Sequence, residues 1–373
     1  MLEEIGDSAS AMPPMQVVEG PVRVAVVGAG FWAVSNHIPQ LSQREDVELV
    51  AVCRKGEDDL RLIADRFGFK VASEDYREAI DAGVDAAIIS SPNTLHHEHA
   101  VAALERGLHV MVEKPLAPTA AQSWEIVELA RRGGIHALVP HGWHYKPFVQ
   151  RAKELLDGGG VGEIRHVLCH MASPTLELFE GRGGYGTVEL GGTRFEAAAS
   201  TWADPRRAGG YALGQLTHAL GLLAWLTGLR ARTVSACETA SSTGVDVVEA
   251  AVVEFDGGAV ASVSGCGLVP AHCGFQLDLR IFGAEGMLLL DVERERCELR
   301  RHDRADEVEV VPPGEGAYDC DVPPHRFIEL VRGLSDRNDS PAEAAARAVE
   351  IAEGLLRSAS LGESVEVAKR GES

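Results

Sequence analysis

Several things are scarce in this chain, and each scarcity narrows what it can be. No stretch of its 373 residues approaches the roughly 18 consecutive apolar positions of a membrane span, so no transmembrane helix is expected. Residues Met1 to Gly20 have neither a basic start nor a continuous apolar run. They read as a disordered leader, not as a secretory signal. No Cys-x-x-Cys occurs, and the cysteines number seven, an odd count. Reduced, mostly buried thiols in a cytoplasm fit this better than a disulfide or zinc framework. Positive charge is also short: 35 basic against 56 acidic residues leave a net −21. That surface repels nucleic acid and anionic membranes and suits a soluble cytoplasmic protein. The length exceeds one ordinary core, so two domains are expected.

What the chain does have is concentrated in Val22 to Ala33. Val22, Val24, Ala25, Val26 and Val27 form a nearly continuous apolar run, the pattern of a strand buried on both faces of a parallel sheet. Gly28 and Gly30 follow, and Ala33 completes G-x-G-x-x-A. In a dinucleotide-binding turn the first glycine allows the tight bend and the second admits the pyrophosphate. The third small residue lets the next helix pack close. Phe31 and Trp32 lie inside this turn and count among its candidate cofactor contacts.

Helical and apolar segments then alternate. Helices are expected over Trp32–Ser42, Asp58–Phe67, Asp75–Ala82, His99–Arg106 and Trp124–Arg132, and strands over Val47–Cys53, Ala86–Ser90, His109–Val112 and Ala137–Val139. This alternation predicts a doubly wound parallel sheet, with ligands beyond the carboxyl ends of its strands. Those ends carry Gly28–Gly30, Arg54 and Lys55, Ser91-Pro92-Asn93, and Glu113-Lys114-Pro115. After the second strand no carboxylate appears until Glu57. A guanidinium there suits a 2′-phosphate, so NADP(H) is favoured with NAD(H) possible; a plain solvated turn is the alternative. Lys114, at a strand end beside a nicotinamide site, can donate to the oxygen being oxidised or reduced and share its proton. The bond before Pro115 is a candidate cis peptide.

Gly28-Ala29-Gly30, Ser91-Pro92-Asn93-Thr94-Leu95-His96 and Glu113-Lys114-Pro115, in that order, resemble the fingerprint of the glucose–fructose oxidoreductase / inositol dehydrogenase / MocA (Gfo/Idh/MocA) family. The resemblance runs from about Val22 to Val367. It implies a Rossmann domain over 21–139 and an α+β substrate-binding and oligomerisation domain over 140–373, with an open, mainly antiparallel sheet. It also places His96 near the cofactor.

In the second half, hairpin signals at Asp256-Gly257-Gly258 and Gly283–Gly286 separate β-rich segments. One face of their sheet is expected under helices and the other open to a partner. The resemblance makes that partner a second copy, giving a homodimer or homotetramer. Thr175 to Ser200 reads as a loop or lid, and a last helix of about 341–359 starts from a Ser340 cap. His218 follows Gly209-Gly210 in what looks like the family's G-G…D-x-x-x-H-x-x-D element, whose histidine is an acid/base. Here Gly214 and Gly221 stand where both carboxylates would be. Gln215 is a candidate to orient the imidazole or substrate hydroxyls. Tyr145, His144 and Lys146 are candidate substrate contacts through the resemblance, and Trp202, Arg206 and Arg207 a candidate substrate rim. His96, His97 and His99 lack metal-ligand spacing, so no metal is expected.

The resulting expectation is an NAD(P)-dependent oxidoreductase moving a hydride between nicotinamide and a carbinol or keto carbon of a sugar, cyclitol or derivative. Lys114 and His218 would be catalytic. Two alternatives are a redox-neutral enzyme that oxidises a sugar transiently and a non-catalytic NADP(H)-binding regulator.

Overall fold

The computed structural model describes residues 13–183, 186–197 and 199–367. The apolar runs of the first third become six parallel strands: β1 (Val22–Val27), β2 (Val47–Cys53), β3 (Val71–Ser73), β4 (Ala86–Ile89), β5 (His109–Val112) and β6 (Ala137–Leu138). Their order is β3-β2-β1-β4-β5-β6. Val22, Val24, Ala25, Val26 and Val27 are fully buried, as a strand with helices on both faces requires. Val27 pairs with Cys53 and with Ile89, and Ile89 with Val112. Four strand ends are therefore level, and the residues after them share one edge. The chain crosses from one side of β1 to the other there, which opens the crevice.

The second lobe is a nine-stranded sheet with order β16-β15-β14-β13-β7-β12-β11-β10-β17. Its strands are β7 (Ile164–Ala172), β10 (Ala231–Ala240), β11 (Asp246–Phe255), β12 (Val260–Cys266), β13 (Gln276–Gly283), β14 (Gly286–Asp291), β15 (Arg296–Arg301), β16 (Glu307–Val310) and β17 (Val365–Glu366). All neighbours are antiparallel except β7 and β12. Val167, Cys169, Met171, Ala261, Val263, Leu279 and Ile281 alternate onto one face and are buried in a core shared with the helix Thr217–Thr227. The opposite face leaves Leu168 and Val252 exposed.

Three segments depart from the sequence expectation. The presumed loop of 175–200 contains a hairpin, β8 (Thr187–Leu190) and β9 (Thr193–Glu196), turned at Gly191-Gly192 with positive φ at both. Val188, Leu190 and buried Phe195 pack against the first-lobe core, and a Cβ on Gly191 would lie 2.6 Å from Leu62. The Val-x-Leu-Gly-Gly-x-x-Phe alternation was the available signal. Ser340 does not cap the last helix, Ala342–Leu361; Pro341 stands at the N-cap with no side-chain bond. The helix Val322–Val331 had no sequence expectation, yet Phe327, Ile328, Leu330 and Val331 are buried with β1 in the first-lobe core. Each such side chain stabilises by up to about 2–3 kcal/mol.

The long terminal helix joins the lobes by its two ends. Ala342, Ala345 and Ala346 enter the first core, and Val349, Ile351 and Leu355 the second. Of the expected leader, residues 1–12 lie outside the described residues. From Gln16 onward the chain is bonded: Gln16 N donates to Gly134 O and Val18 N to Val331 O, at 2.7 and 2.9 Å.

Candidate active site

The glycine turn is held by its neighbours. Gly28 N and Ala29 N donate to Cys53 O, which ties the turn to the end of β2. Gly28 has φ +89°, and a Cβ there would sit 2.3 Å from Ser91 N, so only glycine fits. A Cβ on Gly30 would meet nothing closer than 4.0 Å, an open approach for a pyrophosphate. Gly28, Gly30, Phe31, Trp32, Arg54, Lys55, Ser91, Pro92, Asn93, His96, Glu113 and Lys114 all line one crevice of about 400 Å³. The donor set and the glycine cradle fit a nicotinamide dinucleotide.

Two buried histidines brace its floor. His96 lies 2.7 Å from both Ser91 O and Pro115 O; a neutral ring donates to one and a charged ring to both. Burial lowers its pKa. His37 bonds Glu113 at 2.7 Å. Burial alone would raise the Glu113 carboxyl, but His37 and Lys114 together hold it below its ordinary value. The Lys114–Pro115 bond is cis. Lys114 Nζ donates to Gly214 O at 2.8 Å and lies 4.9 Å from the centre of the Trp202 ring. Burial depresses its pKa to about 8, against the opposing pull of Glu113. A lysine so placed exchanges its proton near neutral pH.

The wall opposite comes from a π-helical turn, Ala212–Leu216, that runs into the helix Thr217–Thr227. Its start is fixed from β11. Ala212 N donates to Asp246 Oδ2 at 2.6 Å, and a Cβ on Gly210 (φ +106°) would fall 1.9 Å from Asp246 Oδ1. Gly209-Gly210 thus makes room for a carboxylate that caps the helix from another strand. A Cβ on Gly214 would lie 2.8 Å from Trp202, so the ring occupies the place of the missing side chain. Gln215 and His218 are buried and line the crevice. Burial, then Lys114, then His141 and His144 push the His218 pKa well below its usual value, so the imidazole is neutral at neutral pH.

Five candidate substrate contacts, His144, Tyr145, Lys146, Arg206 and Arg207, do not line the crevice. The turn Gly142–Tyr145 is 3₁₀, with about three residues per turn, so neighbouring side chains diverge. Trp143 reaches the crevice, whereas His144 stacks on Trp225 and Tyr145 buries its hydroxyl with no partner among the described residues. Lys146 Nζ pairs with Asp319 at 3.5 Å. Arg206 is exposed and bonded to Asp204, and Arg207 also faces Asp204. Trp202 does line the crevice. Trp143, Thr201, Phe275 and Tyr318 line it too and were missed. Trp143 Nε1 donates to Gly316 O and Tyr318 OH to Pro140 O, so both turn hydrocarbon to the cavity. Their signal was weak, since a lone aromatic in a loop carries no spacing.

Residues 22–141 match the model of the oxidoreductase family with an NAD-binding Rossmann fold, and 149–289 match the Gfo/Idh/MocA C-terminal domain. The chain belongs to the Gfo/Idh/MocA oxidoreductase family. Among its relatives is D-glucoside 3-dehydrogenase of Escherichia coli K12, 34% identical over 49% of this chain and 54% of that protein. Another is the dTDP-3,4-didehydro-2,6-dideoxy-alpha-D-glucose 3-reductase of Saccharopolyspora spinosa, 28% identical over 73% of this chain and 75% of that one. The chain thus spans about half the length of the first and three quarters of the second. Levoglucosan dehydrogenase in complex with NADH and levoglucosan has the same fold, at TM-score 0.72, 20% identity, and 94% and 100% coverage. Within this Gfo/Idh/MocA chain no described helix is long and apolar enough to cross a membrane, and the described residues hold no cluster of metal-binding side chains.

Proposed function

We propose that this Gfo/Idh/MocA protein is an NADP(H)-preferring oxidoreductase of a sugar, cyclitol or sugar derivative. One observation carries the reading: Lys114, bonded to Gly214 O, stands in the same crevice as His218 and the Gly28–Gly30 cradle. The nicotinamide, when bound, supplies the hydride acceptor or donor. The chain's own part is to hold the substrate oxygen and manage its proton. Lys114, poised near pH 8, accepts the hydroxyl proton in oxidation and returns it in reduction. His218, neutral and lining the same space, is the second acid/base, and Gln215 binds a neighbouring hydroxyl. The aromatic wall of Trp143, Phe275, Tyr318 and Trp202 suits the C–H face of a sugar ring. The glucoside dehydrogenase and the deoxyglucose reductase among its relatives support that substrate class.

Arg54 supports NADP(H): it lines the crevice and lies 5.0 Å over the Phe195 ring. Asp59 favours the second reading, NAD(H), because its carboxylate holds Arg54 Nη2 at 2.7 Å and could instead accept a ribose hydroxyl. Titration calorimetry with NADPH and NADH, followed by turnover of a sugar and keto-sugar panel, tests the reading. Tighter NADH binding moves the preference to NAD(H). Binding of neither cofactor overturns the enzyme reading.

The exposed Leu168 and Val252, on the face of the second sheet turned away from its core, support a homodimer or homotetramer formed through that face. Sedimentation of a Leu168→Arg/Val252→Arg variant tests it, with dissociation expected. Seven free cysteines fit a cytoplasmic setting.

A further inference from the structure

Three imidazoles meet behind the catalytic wall. His141, His144 and His218 are all buried, with ring centres 5.1 Å apart for His141–His144 and 5.6 Å for His141–His218. Their polar atoms are left over. Both nitrogens of His141, Nε2 of His144 and Nδ1 of His218 are buried with no hydrogen-bond partner among the described residues. A buried polar atom left unpaired is destabilising, so four in one patch call for an explanation. The histidine–carboxylate pairs among the described residues are His37–Glu113 and His97–Glu125, and none reaches these three rings.

Gly221 shows that the patch is built. It lies one turn after His218 inside an apolar helix, where glycine is a poor choice for the backbone. A Cβ there would stand 2.4 Å from His141 Cε1 and 2.5 Å from Nδ1. The glycine exists to admit the His141 ring beside His218. No side chain at 221 could share that space.

We propose that His141 is the positioning residue of the acid/base site. It holds His218 Nδ1 through a ring nitrogen and one water shared with His144 Nε2. This selects the tautomer of His218 that turns Nε2 to the substrate. A hydroxyl proton that enters at Nε2 is passed on to the neutral Lys114 amine, the final acceptor, and returns by the same path when the reaction runs backward. The positive charge ends on Lys114, and His218 never has to remain an imidazolium beside it. That matters because the groups facing His218 are Lys114, His141 and His144, all of which disfavour a second positive charge, with the rings of Trp143 and Tyr318 closing the remainder. His144 is anchored by its Nδ1 on Asp339 O at 2.9 Å, which leaves only Nε2 for the patch.

The inference rests on reading His218 as an acid/base, and its test separates the two. The first measurement needs no substrate: ¹⁵N spectra of histidine-labelled protein bound to NADPH or NADH. His218 is expected as a single neutral tautomer that becomes a mixture in His141→Phe, which keeps a ring against Gly221. A tautomer mixture in the unmodified protein, or one unchanged by His141→Phe, overturns the proposal. The second measurement is the pH profile of kcat. His141→Phe is expected to lower kcat by about tenfold or more, with KM within about twofold, and His141→Gln to recover part of the loss. Unchanged kcat and profile in His141→Phe overturns it. If His141→Phe does not fold, His144→Gln replaces it, with the same tautomer change expected and its absence counting against the proposal. If the tautomer result holds while no sugar turns over, the sugar reading has failed and the positioning role stands.

Discussion

Replacing Lys114 with methionine separates the work of the amine from the space its stem fills. Burial takes the amine from an ordinary 10.5 to about 8. That corresponds to about 3 kcal/mol against the charged form in the folded protein. It is an upper bound, because Lys114 keeps an edge on the open crevice, where water screens it. Removing the charge therefore stabilises by about 1–2 kcal/mol, and loss of the bond to Gly214 O gives back about 1. A net gain of up to about 1 kcal/mol remains, roughly 2 °C in Tm for a chain this long.

The pH dependence fixes the sign. The unfolded chain keeps this proton up to about 10.5, whereas the folded protein releases it near 8. The unfolded state thus binds more protons between these values, and wild-type stability rises with pH across that window. Methionine removes the rise, so its advantage is largest at pH 7 and fades towards pH 10. In the same variant kcat falls by about 10²–10⁴-fold, the usual contribution of a proton-transfer group. In the wild type, log kcat/KM for oxidation rises with unit slope to about pH 8 and then levels. Calorimetric scans of the cofactor-free protein at pH 7 and 9.5, with initial rates from pH 6 to 10, measure all three. A variant keeping more than about a tenth of wild-type kcat would refute the catalytic argument. A Tm change equal at both pH values would refute the burial argument.

Other substitutions probe the crevice and the core. Arg54→Ala is expected to weaken NADPH binding about 10–100-fold, the loss of one or two charge-assisted bonds, and to leave NADH within about threefold; equal losses by calorimetry would sink the phosphate role. Gly28→Ala forces a Cβ to 2.3 Å from Ser91 N at φ +89°, so cofactor affinity should fall at least about tenfold and Tm should drop. Near-normal binding of either nicotinamide would count against the tight turn. Burial and the neighbouring Asp246 raise the Glu249 carboxyl to about 11, so it is protonated in the folded protein while the unfolded chain ionises above about 4.5. Folding then binds a proton, stability falls as pH rises from 5 to 9, and Glu249→Gln should flatten that fall in denaturant titrations. A variant with an unchanged slope would mean that Glu249 is ionised in place.

How much could be read in advance differs between the lobes for a physical reason. The Rossmann half is built from local signals: apolar runs for doubly buried strands, glycines where φ is positive, and a fixed order of loop motifs. Gly28, Arg54, Ser91 and Lys114 lie at strand ends that the β1 pairings make level, so counting residues was enough to gather them. The second lobe is closed by contacts between distant segments. Phe327 and Val331 are buried in the same core as β1, roughly 300 residues away, and nothing in their own neighbourhood marks them as part of that core. Tyr145 and His144 were candidates through the family resemblance, and a single 3₁₀ turn gave the crevice to Trp143 instead.

The glycines on either side of His218 make the same point more sharply. As letters, Gly214 and Gly221 are losses, two carboxylates missing from a known pattern. In three dimensions each is occupied space. Trp202 lies where a side chain at 214 would be, and His141 where one at 221 would be. Trp202 comes from 12 residues upstream and His141 from 80, so no window around His218 contains the reason for either glycine. Restoring a carboxylate by Gly221→Asp would therefore not restore the family's arrangement. It would drive a Cβ to 2.4 Å from His141 and displace the ring that His218 faces. Activity should fall in that variant, and it should recover only when His141 is shortened as well. A gain in kcat from Gly221→Asp alone would show that the pocket is looser than its contacts imply.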